Sequence, residues 1–214
     1  ENYESTTMKL EDFRIVYDEY ENFLRRCGKI DFDDMLVFTY ELLSERPDIL
    51  KMWQNKFRYI LIDEFQDINM IQYDIVKLLA GERQNVFSVG DDDQSVYGFR
   101  GAAPAIMKKF PEDFHGTVIE YLNVNYRCSY DIVECSKRII QNNRDRYEKQ
   151  LRSAFAAGQS DRVHIVKTDS MTEQNKKIID RITELNRAGI PYREMAIIFR
   201  TNTEPRALAS KLME

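Results

Sequence analysis

Two neighbouring carboxylates, Asp63 and Glu64, follow an apolar run at the point where a buried strand would end. Residues 57–62 (FRYILI) are mainly aromatic and branched, which predicts a strand buried on both faces of a parallel sheet. Ligands of open α/β sheets bind at the carboxyl ends of the strands. Because Mg²⁺ takes one or two carboxylates together with substrate phosphates, we expect Asp63 to hold the metal. Glu64 would orient or deprotonate a water.

A second apolar run, residues 85–90 (NVFSVG), is also followed by polar residues. Three aspartates and Gln94 come first, and Gln94 could reach a terminal phosphate. The next residues alternate aromatic rings with glycine and arginine, namely Tyr97, Gly98, Phe99 and Arg100. Aromatic faces beside a guanidinium suit single-stranded nucleic acid, where stacking contributes about 1–3 kcal/mol per base. Taken singly, these patterns also fit a solvated strand end and aromatic core residues.

Three segments in a fixed order carry a family resemblance. DEFQD (63–67), VGDDDQSVYGFRGA (89–102) and NVNYR (123–127) resemble motifs II, III and IV of the UvrD/PcrA/Rep-type superfamily 1 DNA helicases. The similarity extends to IDFDDML (30–36) and MAIIFRTN (195–202), so it covers the chain from about Tyr17. The chain departs from the family at Phe99, where Trp is common, and at Phe65, where Tyr is frequent.

The resemblance implies a role for each matched residue. In this family two RecA-like domains sandwich a nucleotide, and single-stranded DNA crosses both. Asp63 would bind Mg²⁺, Glu64 would activate the hydrolytic water, and Gln94 would sense the γ-phosphate of ATP. Arg127 resembles an arginine finger, and Tyr126 would stack on the adenine. DNA contacts are implied for Tyr97, Phe99, Arg100, Arg200 and Asn202.

The phosphate-binding loop of such motors does not occur in this sequence. No G-x-x-x-x-G-K-[ST] is found, since the segment Gly28-Lys29-Ile30 lacks the upstream Gly and the Ser or Thr. The later motifs of the second domain, with a second arginine, are also missing. We therefore expect an internal section of a longer motor, inactive alone. Its fold would be α/β, with partial P-loop NTPase (RecA-like) parallel sheets, flanking helices and an N-terminal helical segment.

Domain boundaries follow from this interpretation. Residues 1–30 would end a helical insertion, 31–113 would belong to the first RecA-like domain, and 114–214 to the second. The predicted function is ATP-dependent 3′-to-5′ movement on single-stranded DNA and unwinding at duplex junctions, in repair or replication, together with the rest of the polypeptide. One alternative is the motor of a helicase–nuclease recombination subunit. Another is a degenerate relative that only binds DNA or protein, although a scaffold would not need these catalytic groups together.

Composition limits the environment of the chain. Its 214 residues are 43% hydrophobic and 31% charged, as in an ordinary globular protein, and the net charge of −5 gives no overall attraction to DNA. The three cysteines show no C-x-x-C spacing, which predicts free, buried thiols in a reducing cytoplasm. The two histidines have no zinc-ligand spacing. Neither a signal peptide nor an apolar run near eighteen residues is present, so no membrane association is predicted.

Local signals predict the elements around the motifs. Gly28 should end a helix over residues 2–26, Asp31 should cap the next, and Pro47 should open a third. Asn69 and Gln72 predict a capping box for a helix that Gly81 closes, with Ile71, Ile75, Leu78 and Leu79 facing inward. The order strand, helix, strand predicts a parallel βαβ unit. A helix from Pro104 should stop near Pro111.

The second half of the chain is predicted to form alternating strands and helices. Strands are predicted at 117–121, 163–166 and 195–199, and a capping box at Ser170 and Glu173 should open a helix that ends before Gly189. A helix over 129–147 should bury Ile132, Ile139 and Ile140. The basic residues Arg144, Arg146, Lys149 and Arg152 fit either a solvated helix end or a phosphate patch. A small-residue linker at 154–161 and a short terminal helix complete the prediction.

Overall fold

The described part of the chain consists of helices and two short parallel sheets. The computed structural model describes residues 8–98, 105–143, 146–158, 163–201 and 203–213, and the chain divides into two compact units, Glu1–Ala156 and Ala157–Glu214. The first unit contains α1 (Leu10–Cys27), α2 (Phe32–Glu45), α3 (Pro47–Lys56), β1 (Ile60–Ile62), α4 (Met70–Ala80), β2 (Val86–Ser88), α5 (Ala105–Asp113), β3 (Val124–Asn125), α6 (Tyr130–Ile140) and β4 (Arg152–Ser153). The second contains α7 (Met171–Arg187) and α8 (Arg206–Met213).

Helix ends in the first unit follow the local sequence signals. Gly28 ends α1 in the left-handed region at φ 60°, where a glycine avoids the Cβ clash. Asp31 caps α2 and forms a capping box with Asp34, while Asn69 and Gln72 form the predicted box at the start of α4. Gly81 follows the last residue of α4. These predictions are confirmed because each depends on residues within one helical turn.

The parallel βαβ unit is confirmed, but the prediction that its strand is buried on both faces is wrong. β1 pairs with β2 in parallel, with Ile60 opposite Val86 and Leu61 opposite Phe87. Ile60 and Val86 contact the core, whereas Leu61 and Phe87 are 74% and 62% exposed. Since side chains alternate between the faces of a strand, the sheet buries one face only among the described residues.

An aromatic core lies beside this sheet. Phe65, Tyr73, Phe110 and Phe114 are buried, and Phe65 meets both Tyr73 and Phe110 edge-on at centroid distances of 6.0 and 5.3 Å. Such pairs contribute about 0.5–1.5 kcal/mol each beyond area burial. The predicted inward face of α4 needs correction, because Tyr73 and Ala80 are its buried residues and Ile71 is exposed.

α5 continues past the proline that was expected to stop it. Pro111 lies inside the helix and has no N–H to donate to Met107, four residues earlier. The Tyr147 hydroxyl donates a hydrogen bond to that Met107 carbonyl instead, at 3.0 Å. A side chain 36 residues along the chain therefore satisfies the acceptor that Pro111 leaves open.

The segment after α5 differs most from the prediction. Residues 117–121 form no strand in the described structure, and β3 pairs with β4 in parallel through the register Val124 to Arg152. α6 ends at Ile140, where the Asn142 side chain donates to the Ile139 carbonyl at 2.9 Å. Val133 is its buried residue, while Ile132 and Ile139 are exposed.

The described residues of the second unit form two α-helices. Ser170 accepts the Glu173 N–H at the start of α7, but the Glu173 carboxylate accepts from Asp169, so only half of the predicted box forms. Leu208 of α8 is buried. Residues 163–166 and 195–199 are not assigned as strands in the described structure.

Two further observations concern thiols and apolar helices. All three cysteines are free, as predicted, but none is buried: Cys27 is exposed on a helix with no buried residue, and Cys128 and Cys135 are half-buried. Among the described residues no helix combines the length and apolar character needed to cross a bilayer.

Candidate functional site

Asp63 and Glu64 leave the end of β1 through an unusual turn. Glu64 has φ 50° and ψ 42°, in the left-handed region, where a residue with a side chain costs about 1–2 kcal/mol relative to right-handed backbone. Its N–H donates to Asp63 Oδ1 at 2.9 Å, which fixes the turn. A 3-10 turn over Phe65–Asp67 follows and returns the chain to the core. Both carboxylates remain exposed to solvent.

Gln66 joins the two strand-end loops and was missed in the sequence analysis. Its side chain is buried, with the residue 1% exposed. Nε2 donates to Glu64 Oε2 at 2.7 Å, and Oε1 accepts the Asp91 N–H at 2.9 Å. The only sequence signal is an amide beside a core aromatic within DEFQD. Gln66 therefore holds the Glu64 carboxylate against the loop that follows β2.

Gln94 completes this hydrogen-bonded network. Its Nε2 donates to Asp91 Oδ2 at 2.7 Å, while Asp91 Oδ1 accepts the Asp93 N–H at 3.2 Å. The network thus runs from Glu64 through Gln66 and the Asp91 backbone to Gln94. The structure brings together the two side chains that the sequence placed at separate strand ends.

Gly90 permits the close approach of Gln66. A Cβ at this position would lie 2.8 Å from Gln66 Oε1 and 3.2 Å from both the Gln66 backbone nitrogen and the Phe65 Cβ. Real Cβ atoms do not approach an oxygen this closely, so either the amide or the loop must shift. A side chain at position 90 therefore conflicts with the network.

Replacing Gly90 by alanine should lower the free energy of unfolding by about 1–3 kcal/mol, since overpacking a filled site displaces its neighbours. Gly98→Ala is a matched control, because a Cβ there meets nothing within 4 Å. Urea unfolding of both variants measures the effect. Equal stabilities would show that Gln66 does not need the space above Gly90.

The three aspartates after β2 bind cations from a distant segment. The Arg146 guanidinium donates two hydrogen bonds to Asp93, at 2.7 and 2.6 Å. Lys149 Nζ contacts Asp91 and Asp92 and lies 3.0 Å from Asp93 Oδ2. The prediction of a solvated helix end is therefore wrong for Arg146 and Lys149, which lie beyond α6 and are paired with carboxylates. Arg144 lies outside the described residues, and Arg152 is exposed.

Acid should weaken this cluster. Hydrogen bonds from Arg146, helped by Lys149, hold the pKa of the Asp93 carboxyl below its ordinary value in spite of burial. A depressed folded-state pKa gives stability that is present above the unfolded pKa of about 3.9 and is lost as pH falls through the folded pKa. We expect unfolding free energy to drop on acidification in this range. Carboxyl NMR titration should show Asp93 moving back toward its ordinary pKa in Arg146→Gln; an unchanged pKa would contradict the assignment.

The remaining predicted site residues divide by location. Tyr97, Tyr126 and Arg127 are exposed in the first unit, with Tyr126 76% exposed. The Asn125 side chain accepts the Arg127 and Cys128 N–H groups at 2.9 and 2.7 Å, which fixes the turn after β3. Arg200 lies in the second unit, where its N–H donates to Glu204 Oε2 at 3.4 Å. Phe99, Arg100 and Asn202 lie outside the described residues.

Two carboxylate groups could attract a cation. Asp63 is exposed and uses Oδ1 for the Glu64 N–H, so its donor set fits a single-carboxylate Mg²⁺ ligand. The oxygens of Asp91, Asp92 and Asp93 lie within 4.8 Å of one another, but the Lys149 ammonium contacts all three. Asp63 is therefore the better candidate for a metal.

Comparisons with known proteins match nearly the whole chain. The family model for the UvrD/REP helicase N-terminal domain matches residues 1–115, and that for the UvrD-like helicase C-terminal domain matches residues 120–214. YjcD of Bacillus subtilis is 39% identical over 92% of this chain. The proteins named ATP-dependent DNA helicase PcrA of Staphylococcus epidermidis and Staphylococcus aureus are each 37% identical over 93% of it.

The match covers a limited part of each relative. The chain spans 26% of the length of YjcD and 27% of each PcrA, about a quarter of these relatives. The N-terminal family model alone covers more than half of the chain, and the C-terminal model covers most of the remainder, from residue 120 to residue 214. The chain therefore belongs to the UvrD/REP helicase family.

Proposed function

We propose that this chain supplies catalytic and DNA-contacting residues of an ATP-dependent DNA helicase that moves 3′ to 5′ on single-stranded DNA. ATP and Mg²⁺ would be its cofactors. Single-stranded DNA and duplex junctions met in repair or replication would be its substrates. Residues 31–113 would belong to one RecA-like domain and residues 114–214 to the next, after the end of a helical insertion at 1–30. The free thiols suit the reducing cytoplasm, where we expect the protein to act.

The network centred on Gln66 is the observation that supports this proposal most directly. It places the Glu64 carboxylate and the Gln94 amide at adjoining strand ends, within one chain of hydrogen bonds. Hydrolysis of a terminal phosphate needs a group that activates water and a group that contacts the phosphate. These two side chains can supply both roles from one edge of the sheet.

The protein residues would then act in sequence around the nucleotide. Asp63 would hold Mg²⁺, which supplies charge neutralisation at the phosphates when bound. Glu64, oriented by Gln66, would take a proton from the attacking water. Arg127, on a turn fixed by Asn125, would stabilise negative charge on the transferred phosphate. Tyr126 would stack on the adenine.

The DNA side of the site would adjoin the phosphate side. Tyr97 lies three residues from Gln94, so a displacement of the amide can reach the ring through a short loop. Phe99 and Arg100 would extend this loop toward the DNA, and Arg200 and Asn202 would contact its phosphates. Their proposed roles rest on the family motifs.

Two other functions would use the same motifs. The motor of a helicase–nuclease subunit would share Asp63, Glu64, Gln94 and Arg127, and a nuclease activity in the natural protein would distinguish it. A relative that only binds DNA or protein would have no use for Glu64 held by a buried amide. The Gln66 network therefore favours a hydrolase over a binding module.

ATP turnover by the full-length natural protein tests the proposal. We expect strong stimulation by single-stranded DNA, together with unwinding of duplexes that carry a 3′ tail. Duplexes with only a 5′ tail should remain paired. DNA binding without turnover would overturn the hydrolase assignment, and unwinding from 5′ tails alone would overturn the direction.

A further inference from the structure

Lys149 occupies the centre of the acidic cluster that follows β2. Its side chain is 19% exposed, and its ammonium contacts Asp91 Oδ1 and Asp92 Oδ1 and lies 3.0 Å from Asp93 Oδ2. Arg146 holds Asp93 from the same segment, and the Tyr147 N–H donates to Asp92 Oδ2 at 2.7 Å. Residues 146–149 thus contact all three aspartates.

The cluster depends on this ammonium for its charge balance. Three carboxylates with oxygens within 4.8 Å of one another repel in a partly buried site, and the two basic side chains offset most of that charge. Burial lowers the pKa of Lys149, but hydrogen bonds to Asp91, Asp92 and Asp93 outweigh it, and the pKa lies above the ordinary value. Lys149 is therefore charged throughout the neutral range and fixes the directions of all three carboxylates.

One side of this contact leads to Gln94. The two oxygens of Asp91 have different partners. Oδ1 contacts Lys149, and Oδ2 accepts from Gln94 Nε2 at 2.7 Å. Since a carboxylate is planar and is attached to its own side chain, holding one oxygen restricts the direction in which the other can accept. Lys149 therefore orients the group that holds the Gln94 amide.

The other side leads to Arg127. Three residues after Lys149 the chain enters β4, where the Arg152 N–H donates to the Asn123 carbonyl at 2.8 Å and the Ala154 N–H to the Asn125 carbonyl at 2.9 Å. The Ser153 hydroxyl donates to the Cys128 carbonyl at 2.8 Å. The strand that leads to Arg127 is therefore hydrogen-bonded to the segment that begins at Lys149.

We propose that Lys149 is a positioning residue that sets the Gln94 amide through Asp91 and ties it to the strand preceding Arg127. The two loops that would contact the γ-phosphate from opposite halves of the chain are then held by one side chain. This inference rests on the proposed function for its effect on ATP hydrolysis. The link itself, meaning the contacts that connect Gln94 to the strand before Arg127 through Lys149, does not depend on that function.

Kinetics of the full-length natural protein test the first part. Lys149→Met should reduce kcat for ATP about 10–100-fold at saturating single-stranded DNA, because small displacements of a reacting group have effects of this size. KM for ATP should change little, and Lys149→Arg should recover part of kcat. Lys137→Met is the matched control, since Lys137 pairs with one half-exposed carboxylate, Glu134, at 2.7 Å, and it should leave kcat unchanged.

A double variant separates positioning from general destabilisation. If Lys149 acts through Asp91, then Asp91→Asn should lower kcat as well, and the loss in the double variant should be smaller than the product of the two single losses. Thermal unfolding gives the folded fraction of each variant. A loss in Lys149→Met that equals its loss of folded protein, or that appears only in KM, would overturn the proposal.

Hydrogen exchange of the backbone tests the link without ATP. Peptides covering residues 91–95 and 123–128 should exchange faster in Lys149→Met and unchanged in Lys137→Met. Unchanged exchange at 123–128 would overturn the tie to Arg127. A natural protein with no ATP turnover but with coupled exchange would refute the proposed function while supporting the link.

Discussion

Glu64→Gln should lower ATP turnover about 10²–10⁴-fold, the usual contribution of a general base. The amide is isosteric with the carboxylate, and its oxygen can still accept the Gln66 Nε2 hydrogen bond that measures 2.7 Å with Glu64. The fold and the nucleotide affinity should therefore be preserved, while proton transfer from water is lost. Steady-state ATPase assays with single-stranded DNA and nucleotide binding by fluorescence measure the two quantities separately.

Glu82→Gln provides the matched control for this result. Glu82 is an exposed carboxylate of the same unit, in the turn after α4, and the same change of charge there should leave turnover unaffected. If Glu64→Gln retained nearly full kcat, Glu64 could not be the base. Its place in the Gln66 network would then be structural only.

Arg127→Ala should have an effect of comparable or greater size. Arginine groups that stabilise a transferred phosphate contribute about 10³–10⁵ in rate, so kcat should fall by a factor in this range. The backbone of the turn should not change, because Asn125 holds the Arg127 N–H and not its side chain. Single-turnover ATP hydrolysis measures the chemical step directly.

Lysine at the same position tests the geometry of the charge. Arg127→Lys keeps one positive charge but loses the planar fork, and it should recover only part of the rate. Arg138→Ala, at an exposed arginine of α6, should have no effect. If Arg127→Ala and Arg138→Ala gave equal turnover, Arg127 would not act on the phosphate.

The sequence could predict the features that depend on neighbouring residues. Asp31 and Asn69 bond to N–H groups three residues on, and the backbone of Gly28 needs no partner beyond its own helix. The positions of Asp63, Glu64 and Gln94 at strand ends followed from two apolar runs. Their family roles came from the order of the motifs, which local chemistry could not supply.

Features that depend on distant partners could not be predicted. Lys149 pairs with aspartates 56–58 residues earlier, and no local pattern distinguishes it from a solvated lysine. The apolar runs at 163–166 and 195–199 have strand composition, but a strand also needs a neighbour for its backbone hydrogen bonds. The early end of α6 coincides with a local contact, since the Asn142 side chain donates to the Ile139 carbonyl in its last turn.

The left-handed backbone of Glu64 means that a substitution which improves stability at this residue would remove the proposed activity. Glycine or asparagine would occupy φ 50° with less strain, so selection for stability alone would favour replacing the acid. Variants chosen only for heat resistance would be drawn toward the very substitution that removes the proposed base. Any programme that stabilises this protein should therefore hold position 64 fixed and look for improvement elsewhere.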